Sequence, residues 1–369
     1  MRIAQVAPLF EAVPPGAYGG TERVIATLCD GLVAAGHEVT LFAPETSQTA
    51  AKLEAYGPPL REQLSAEELV TLAPHLHLQM LAELYRRTAG PDRQLKGELE
   101  GEFDVVHSHL DLWTLPFTLL WQAPTVVTLH GRLDLDVVRE VLPRYPTVPL
   151  VSISADQRRA VADLELTWAA TVHNGLDLTA YDQVPHDPDG YLAFVGRIAE
   201  EKGPVTAIEV ARRTGLPLRI AAKVDPADEE YHQREVAPLM GPDVDFVGEI
   251  EEDQKPGFYA GARATLFPSD WPEPFGLVMI ESLAAGTPVV ALRRGSVPEI
   301  IDHGVTGFIC EDLEEMVTAT ERITEIDPEE CRRAAQRFSG QAMCDGYEQV
   351  YERLIRERSE GAAPQVGSR

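Results

Sequence analysis

Short runs of apolar, β-branched residues alternate along the chain with stretches whose apolar positions recur every three or four residues. Arg2–Ala7 is such a run and reads as a strand. Thr21–Ala35 follows it, with Val24, Ile25, Leu28 and Leu32 at helical spacing. His37–Ala43, Phe103–His107, Pro124–Leu129 and Leu150–Ile153 predict further buried strands. A second series begins near Tyr191. In it Tyr191–Val195, Leu218–Ala222, Val244–Val247, Ala264–Phe267 and Thr287–Ala291 read as strands, and Val205–Arg213 and Leu277–Ala285 as helices. This βαβα alternation predicts an α/β fold: two doubly wound parallel sheets, each covered by helices on both faces.

Between the two series lies Asn174–Gly190, rich in Asp, Pro and Gly, which reads as a linker. It divides the chain into an N-terminal domain over 1–178 and a C-terminal domain over 190–340. A length of 369 residues suits two such domains. Thr46–Glu102 does not fit the alternation. Ser65 and Glu68 form a capping box ahead of a helix expected to reach about Arg87. That segment reads as an outer decorating helix or as a lid that recognises the acceptor. Gln341–Arg356 is helical, and 359–369 is expected to be a frayed tail.

Composition narrows the partners. The chain holds 32 basic and 59 acidic residues, a formal charge of −27. Such a surface repels nucleic acid and anionic lipid over most of its area, while leaving room for a local basic pocket. There is no 18-residue apolar run and no signal-peptide pattern at the start, so neither a membrane span nor export is expected. Cys29, Cys310, Cys331 and Cys344 fit no CxxC spacing, which favours reduced thiols and a cytoplasmic setting.

Four clusters carry candidate chemistry. The segment GAYGGT over 16–21 joins the first strand to the first helix. Its glycines Gly19 and Gly20 permit close approach of a ligand, and the helix start offers free N–H groups to a phosphate. The spacing is neither GxGxxG nor GxxxxGKS/T, and an ordinary βα loop accounts for it equally well. The segment GRIAEEKG over 196–203 places Arg197 and Lys202 at a strand's carboxyl end, where open α/β sheets bind ligands. Two cations there, in so acidic a chain, point to a diphosphate. Pairing with Glu200 and Glu201 in a solvated loop is the alternative. The segment EPFGLVMIE over 273–281 sets Glu273 before a helix that opens at Phe275 and Gly276, and Glu281 within it. Carboxylates so spaced can hold vicinal hydroxyls at two ends of one molecule, with a phosphate on the helix start between them. Two incidental acids are the competing reading. The fourth cluster is His107, His109 and His130, at strand ends, with Gly131 leaving room for a ligand. A structural role is open for each. No metal is expected: Asp134 and Asp136 look like a DxD pair but read as solvated acids at a helix start.

Together these segments resemble the retaining nucleotide-sugar glycosyltransferases of family 4, which have the GT-B fold. The likeness covers nearly the whole chain and is strongest over Tyr191–Phe308. It rests on GR…KG and E-x7-E in this order, on GGTERV after the first strand, and on HNGLD over 173–177. GTPVV over 286–290, GSVPEII over 295–301 and GVTG over 304–307 are also similar. The resemblance implies two Rossmann-like domains facing across a cleft, with the C-terminal helix crossing back to the first domain. It implies that Arg197 and Lys202 bind the donor diphosphate and that Glu281 binds ribose. By the same resemblance Glu273, with the backbone of Phe275, Gly276 and Leu277, would hold the transferred sugar, Gly19 and Gly20 would approach the phosphates, and His130 would lie by the sugar and the acceptor. The base would rest near Val247, Glu249 and Ile250.

The implied activity is transfer of a hexose from a UDP-sugar, or a GDP-sugar, to a soluble acceptor, with no cofactor. A polysaccharide, a small metabolite or an antibiotic- or pterin-like acceptor fits the sequence equally, with His109 and Trp113 as acceptor-side candidates. A membrane-lipid acceptor is the alternative, set against it by the single cation, Arg23, among the charges of Thr21–Ala35. A non-catalytic nucleotide-sugar binder or a sugar phosphorylase is the reading from another class. The intact set Arg197, Lys202, Glu273 and Glu281 favours an active enzyme.

Overall fold

The computed structural model describes residues 1–16, 19–89, 102–120 and 123–361. Among the described residues thirteen strands form two wholly parallel sheets. The first contains β1 (Arg2–Val6), β2 (Glu38–Ala43), β3 (Lys52–Ala55), β4 (Val105–Ser108), β5 (Thr125–Leu129), β6 (Leu150–Ser152) and β7 (Trp168–Thr171), in the order β3-β2-β1-β4-β5-β6-β7. The second contains β8 (Tyr191–Arg197), β9 (Leu218–Lys223), β10 (Val244–Gly248), β11 (Ala262–Phe267), β12 (Val289–Leu292) and β13 (Gly307–Cys310), in the order β10-β9-β8-β11-β12-β13. Each is a Rossmann-like, doubly wound sheet, as the alternation predicts.

One compact unit holds Met1–Ile153, Arg158–Leu176 and the C-terminal stretch from Gly340; the other holds Ser154–Gln157 and Asp177–Ser339. The expected linker over 178–190 contains a short helix, Thr179–Asp182, and belongs to the second unit. The central strands were legible because they are buried on both faces; β1, β4 and β5 are almost wholly buried. The sequence pattern missed β3, β7 and β13, all edge strands. The side chains of β3 and β7 are only half-buried or exposed, so they carry no apolar run, and β13 is buried but only four residues long and opens on a glycine.

The helix Ala66–Ala89 is not an outer decoration. The capping box is present: Ser65 N–H donates to Glu68 Oε2 at 2.9 Å and Glu68 N–H to Ser65 Oγ at 3.3 Å. One side of the helix is core, with Ala73, His77, Met80, Leu81 and Leu84 buried and the apolar members packed with Phe42, Phe103 and Val106. His77 donates from Nδ1 to the Ala73 carbonyl at 2.7 Å and accepts the Leu9 N–H at Nε2 at 2.9 Å. It therefore ties this helix to the loop after β1. The C-terminal helix runs Gly340–Gly361, longer than expected, so 359–361 are helical; residues 362–369 of the expected tail lie outside the described residues. This helix packs on the helix Gly20–Ala34, where Cys344 sits against the Cα of Gly31. All four cysteines are buried and free.

Candidate active site

In the second unit the strand order reverses between β8 and β11. A doubly wound sheet opens a crevice at such a point, at the strand carboxyl ends. Lys202 comes from the loop after β8, Glu273 from the loop after β11, and they form an ion pair there. The Lys202 ammonium also lies 4.9 Å from the centre of the Trp271 ring. Glycines shape both loops. Gly203 adopts φ 71°, and a Cβ there would stand 2.4 Å from the Pro268 carbonyl oxygen. Gly295, at φ 52°, lets the next loop press on the Glu273 backbone, whose carbonyl accepts the Ser296 N–H at 3.1 Å. Arg197 ends β8 inside an acidic cage, 2.5 Å from Glu201, 3.3 Å from Asp228 and 3.7 Å from Asp225.

The eight-residue helix Leu277–Ala284 starts four residues after Glu273, with Gly276 at its cap. Glu281, in its second turn, is 1% exposed. Its Oε2 accepts the Tyr259 hydroxyl at 2.7 Å, and Lys255 Nζ approaches its Oε1 at 3.4 Å. Tyr259 and Lys255 thus offset the cost of burying this carboxylate. Val247 within β10 and Glu249 just after it are exposed, and Ile250 is partly buried; Gly248 ends the strand at φ 79°.

In the first unit the order reverses between β1 and β4, so the loops after these strands border the equivalent position. Gln5 of β1 pairs in register with His107 of β4, and period two puts Gln5, His107, Thr128, His109 and His130 on one sheet face. Their hydrogen bonds form a directed chain. Gln5 Nε2 donates to the Tyr351 hydroxyl at 3.0 Å, so its Oε1 accepts His109 Nε2–H at 3.0 Å. His109 Nδ1 is then an acceptor and takes Nε2–H of His130 at 2.8 Å. That leaves Nδ1 of His130 as a lone pair for a ligand hydroxyl. Tyr351 in turn donates to His107 Nδ1 at 2.7 Å, and His107 Nε2–H to Thr128 Oγ1 at 2.7 Å. Burial pushes all three imidazoles below their ordinary range, His130 to about 4, so the chain is neutral at physiological pH.

Two family models match the chain, "Glycosyltransferase Family 4" over residues 18–180 and "Glycosyl transferases group 1" over residues 182–339. The chain belongs to the family 4-type glycosyltransferases, with the GT-B fold. A D-inositol 3-phosphate glycosyltransferase of Pseudarthrobacter chlorophenolicus is 28% identical over 348 residues, covering 80% of this chain and 79% of that protein. A glycogen synthase of Mycobacterium tuberculosis is 27% identical over 367 residues, covering 88% and 86%. The crystal structure of AviGT4, a glycosyltransferase involved in avilamycin A biosynthesis, superposes with a TM-score of 0.69 at 25% identity, covering 96% of this chain and 98% of that one.

In this glycosyltransferase the sequence-derived residues divide into groups. Arg197, Lys202, Glu273, Phe275, Gly276 and Leu277 gather at the second unit's switch point. His109 is 2% exposed with both ring nitrogens engaged, so it acts through His130 rather than on an acceptor directly. Trp113 stands partly buried against His77, ring centres 4.3 Å apart. Gly20 opens the first helix, and Gly19 is needed for packing: a Cβ there would be 2.8 Å from Pro15. Asp134 lies ahead of the helix Asp136–Val141, not within it, and chelates Arg132 at 2.8 and 2.5 Å.

Four residues escaped the sequence reading. Lys255 and Tyr259 carry no motif and meet Glu281 only in the fold. Glu22 had a signal: it lies four and seven positions before the buried Ala26 and Cys29, on one helix face. Burial raises its carboxyl to about 7. Asp111 is the fourth. It is the single non-glycine residue with positive φ, 45°, among the described residues, and its Oδ1 accepts the His130 N–H at 2.9 Å. Burial raises it to about 6, against that hydrogen bond. Sparsely populated backbone of this kind persists where the surroundings enforce it.

Proposed function

We propose that this glycosyltransferase moves a hexose from a nucleotide-diphosphate sugar, a UDP-sugar in preference to a GDP-sugar, to a hydroxyl of a soluble acceptor, with retention at the anomeric carbon and without a metal ion. The observation that carries this is the Lys202–Glu273 pair at the switch point, beside the N-terminus of the helix Leu277–Ala284. Without donor, Lys202 rests on Glu273. A diphosphate would take over Lys202 and, with Arg197 drawn from its acidic cage, the negative charge that develops as the sugar leaves. Glu273 would then be released to the sugar hydroxyls. A carboxylate so used is not beneath the anomeric carbon, which argues against a covalent glycosyl-Glu273 intermediate.

In the proposed step the acceptor oxygen bonds to the anomeric carbon as the bond from that carbon to the diphosphate oxygen breaks. The electron pair goes to the phosphate oxygen, which takes the acceptor's proton. His130 Nδ1 holds a hydroxyl of the sugar or the acceptor in place. Glu281, backed by Lys255 and Tyr259, holds the ribose, and the base lies along Val247, Glu249 and Ile250. The relatives' names speak of an inositol 3-phosphate, of glycogen and of phosphatidyl-myo-inositol, so the choice of a soluble acceptor rests on the acidic exterior of this chain.

The test is a donor panel of UDP-glucose, GDP-mannose and close relatives, read as released diphosphate and as a melting shift with UDP and GDP. One nucleotide should raise the melting temperature, and its sugar should be turned over at the same rate in EDTA. Lys202→Ala should lower kcat roughly 10²–10³-fold. Silence from every nucleotide in both readouts would end the transferase proposal.

A further inference from the structure

A cavity of about 330 Å³ opens in the first unit where the loops after β1, β4 and β5 meet. Its wall is apolar, built from Phe10, Leu112, Trp113, Leu133, Leu135 and Val138. That volume lies near the lower bound of small-molecule pockets, about 300–1,000 Å³. It suits one small ring system rather than an oligosaccharide.

The polar groups at its edge are few, and most are committed. The ring nitrogens of His109 are taken by Gln5 and His130. The Arg132 guanidinium is held by Asp134 through two hydrogen bonds. Asp111 differs. Its Oδ1 accepts the His130 N–H, while Oδ2 lies on the Gly131 side, 3.5 Å from where a Cβ on Gly131 would stand. The carboxylate is held there by a left-handed backbone, φ 45°.

A glycan would bring many hydroxyls to a wall that cannot pair them, and each unpaired group carries a desolvation penalty. One hydroxyl can be paired, by Asp111. The aromatic side chains are also fixed in advance. Trp113 stands edge-on to His77, and Phe10 lies 5.3 Å from the same imidazole, which the helix Ala66–Ala89 anchors. A ring that enters meets a wall already set.

We propose that this cavity seats the acceptor, and that the acceptor is a hydroxylated molecule with an apolar, ring-sized body, one hydroxyl of which is held by the Asp111 carboxylate. The word acceptor rests on the transferase reading; the binding does not. The half-exposed Leu135 and Val137 form the rim over which such a body would pass.

The experiment uses the full chain and 2-(2-naphthyl)ethanol as probe, titrated by calorimetry with UDP or GDP present, beside maltose and myo-inositol. Saturable binding of the naphthyl alcohol and none of the two polyols is expected. Leu135→Asp/Val137→Asp, both at exposed rim positions, should weaken the probe at least tenfold while leaving the nucleotide melting shift unchanged. Asp111→Asn should weaken it about threefold or more. As a second readout, the probe should quench tryptophan fluorescence, and Trp113→Phe should abolish most of that quenching. The proposal is overturned by saturable binding of maltose or myo-inositol in place of the probe. It is equally overturned by no saturable probe binding, or by unchanged affinity in the double variant together with unchanged quenching in Trp113→Phe. Probe binding with no response to any nucleotide would keep the cavity assignment and remove the transferase reading instead.

Discussion

Lys202 and Glu273 stand 71 positions apart in the chain and meet with less than a fifth of either side chain exposed. An ion pair this sheltered is worth less as a stabiliser than as a charge held in readiness, because desolvation offsets much of the attraction. Its loss is therefore expected mainly in turnover, as Lys202→Ala tests. Asp111 presents the opposite case. Its carboxyl is raised from 3.8 to about 6 in the fold. Below pH 3.8 it is protonated in both states and contributes nothing. As pH rises toward 6 the unfolded chain ionises first, so the native state loses stability over that interval and does not regain it above. Asp111→Asn should thus match the parent's melting temperature near pH 3.5 and exceed it by a few degrees at pH 7, as calorimetry would show. Equal melting temperatures at pH 7 would mean the carboxyl is not held in an unfavourable site.

At the scale of elements, the C-terminal helix Gly340–Gly361 completes the first sheet's covering layer. Tyr347 and Tyr351 are fully buried and reach the polar face of β1, β4 and β5 through Thr128, His107 and Gln5. The helix is therefore fastened to the same chain of groups that orients His130. Tyr351→Phe removes one hydroxyl and orphans two buried partners, at roughly 1–3 kcal/mol each. A lower urea midpoint with an unchanged m-value is expected. If His130 loses its fixed tautomer as well, kcat should fall with little change in the donor KM. An unchanged urea midpoint would show that the network carries no stability. The helix Ala66–Ala89 works likewise: its capping box was legible, whereas the role of His77 depends on Leu9, which comes 68 positions earlier.

For the molecule as a whole, charge and site have opposite signs. The formal charge is −27, yet cations sit at the second sheet's switch point, where acids partner them. A polyanionic surface would be repelled by the exterior, while a single diphosphate can exchange with the acids at one point. Among the described residues no helix is long and apolar enough to cross a membrane. Co-sedimentation at low salt with vesicles containing phosphatidylserine should leave the protein in the supernatant. Recovery in the pellet would favour a lipid acceptor over a soluble one.

The sequence by itself determined the α/β class, the two series of βα units and the family, because buried parallel strands read as apolar runs and the donor-side motifs are local. It marked Arg197, Lys202, Glu273 and the helix start at Gly276 for the same reason: each lies next to a strand end or a glycine that the pattern exposes. Tertiary structure alone decided the rest. Edge strands such as β3 carry no apolar signature. Lys255 and Tyr259 meet Glu281 only through packing, and His109 proved an inner member of a hydrogen-bonded chain. The cavity beside Asp111 is made by three loops distant in sequence, so its apolar wall exists only once the sheet has brought them to one edge.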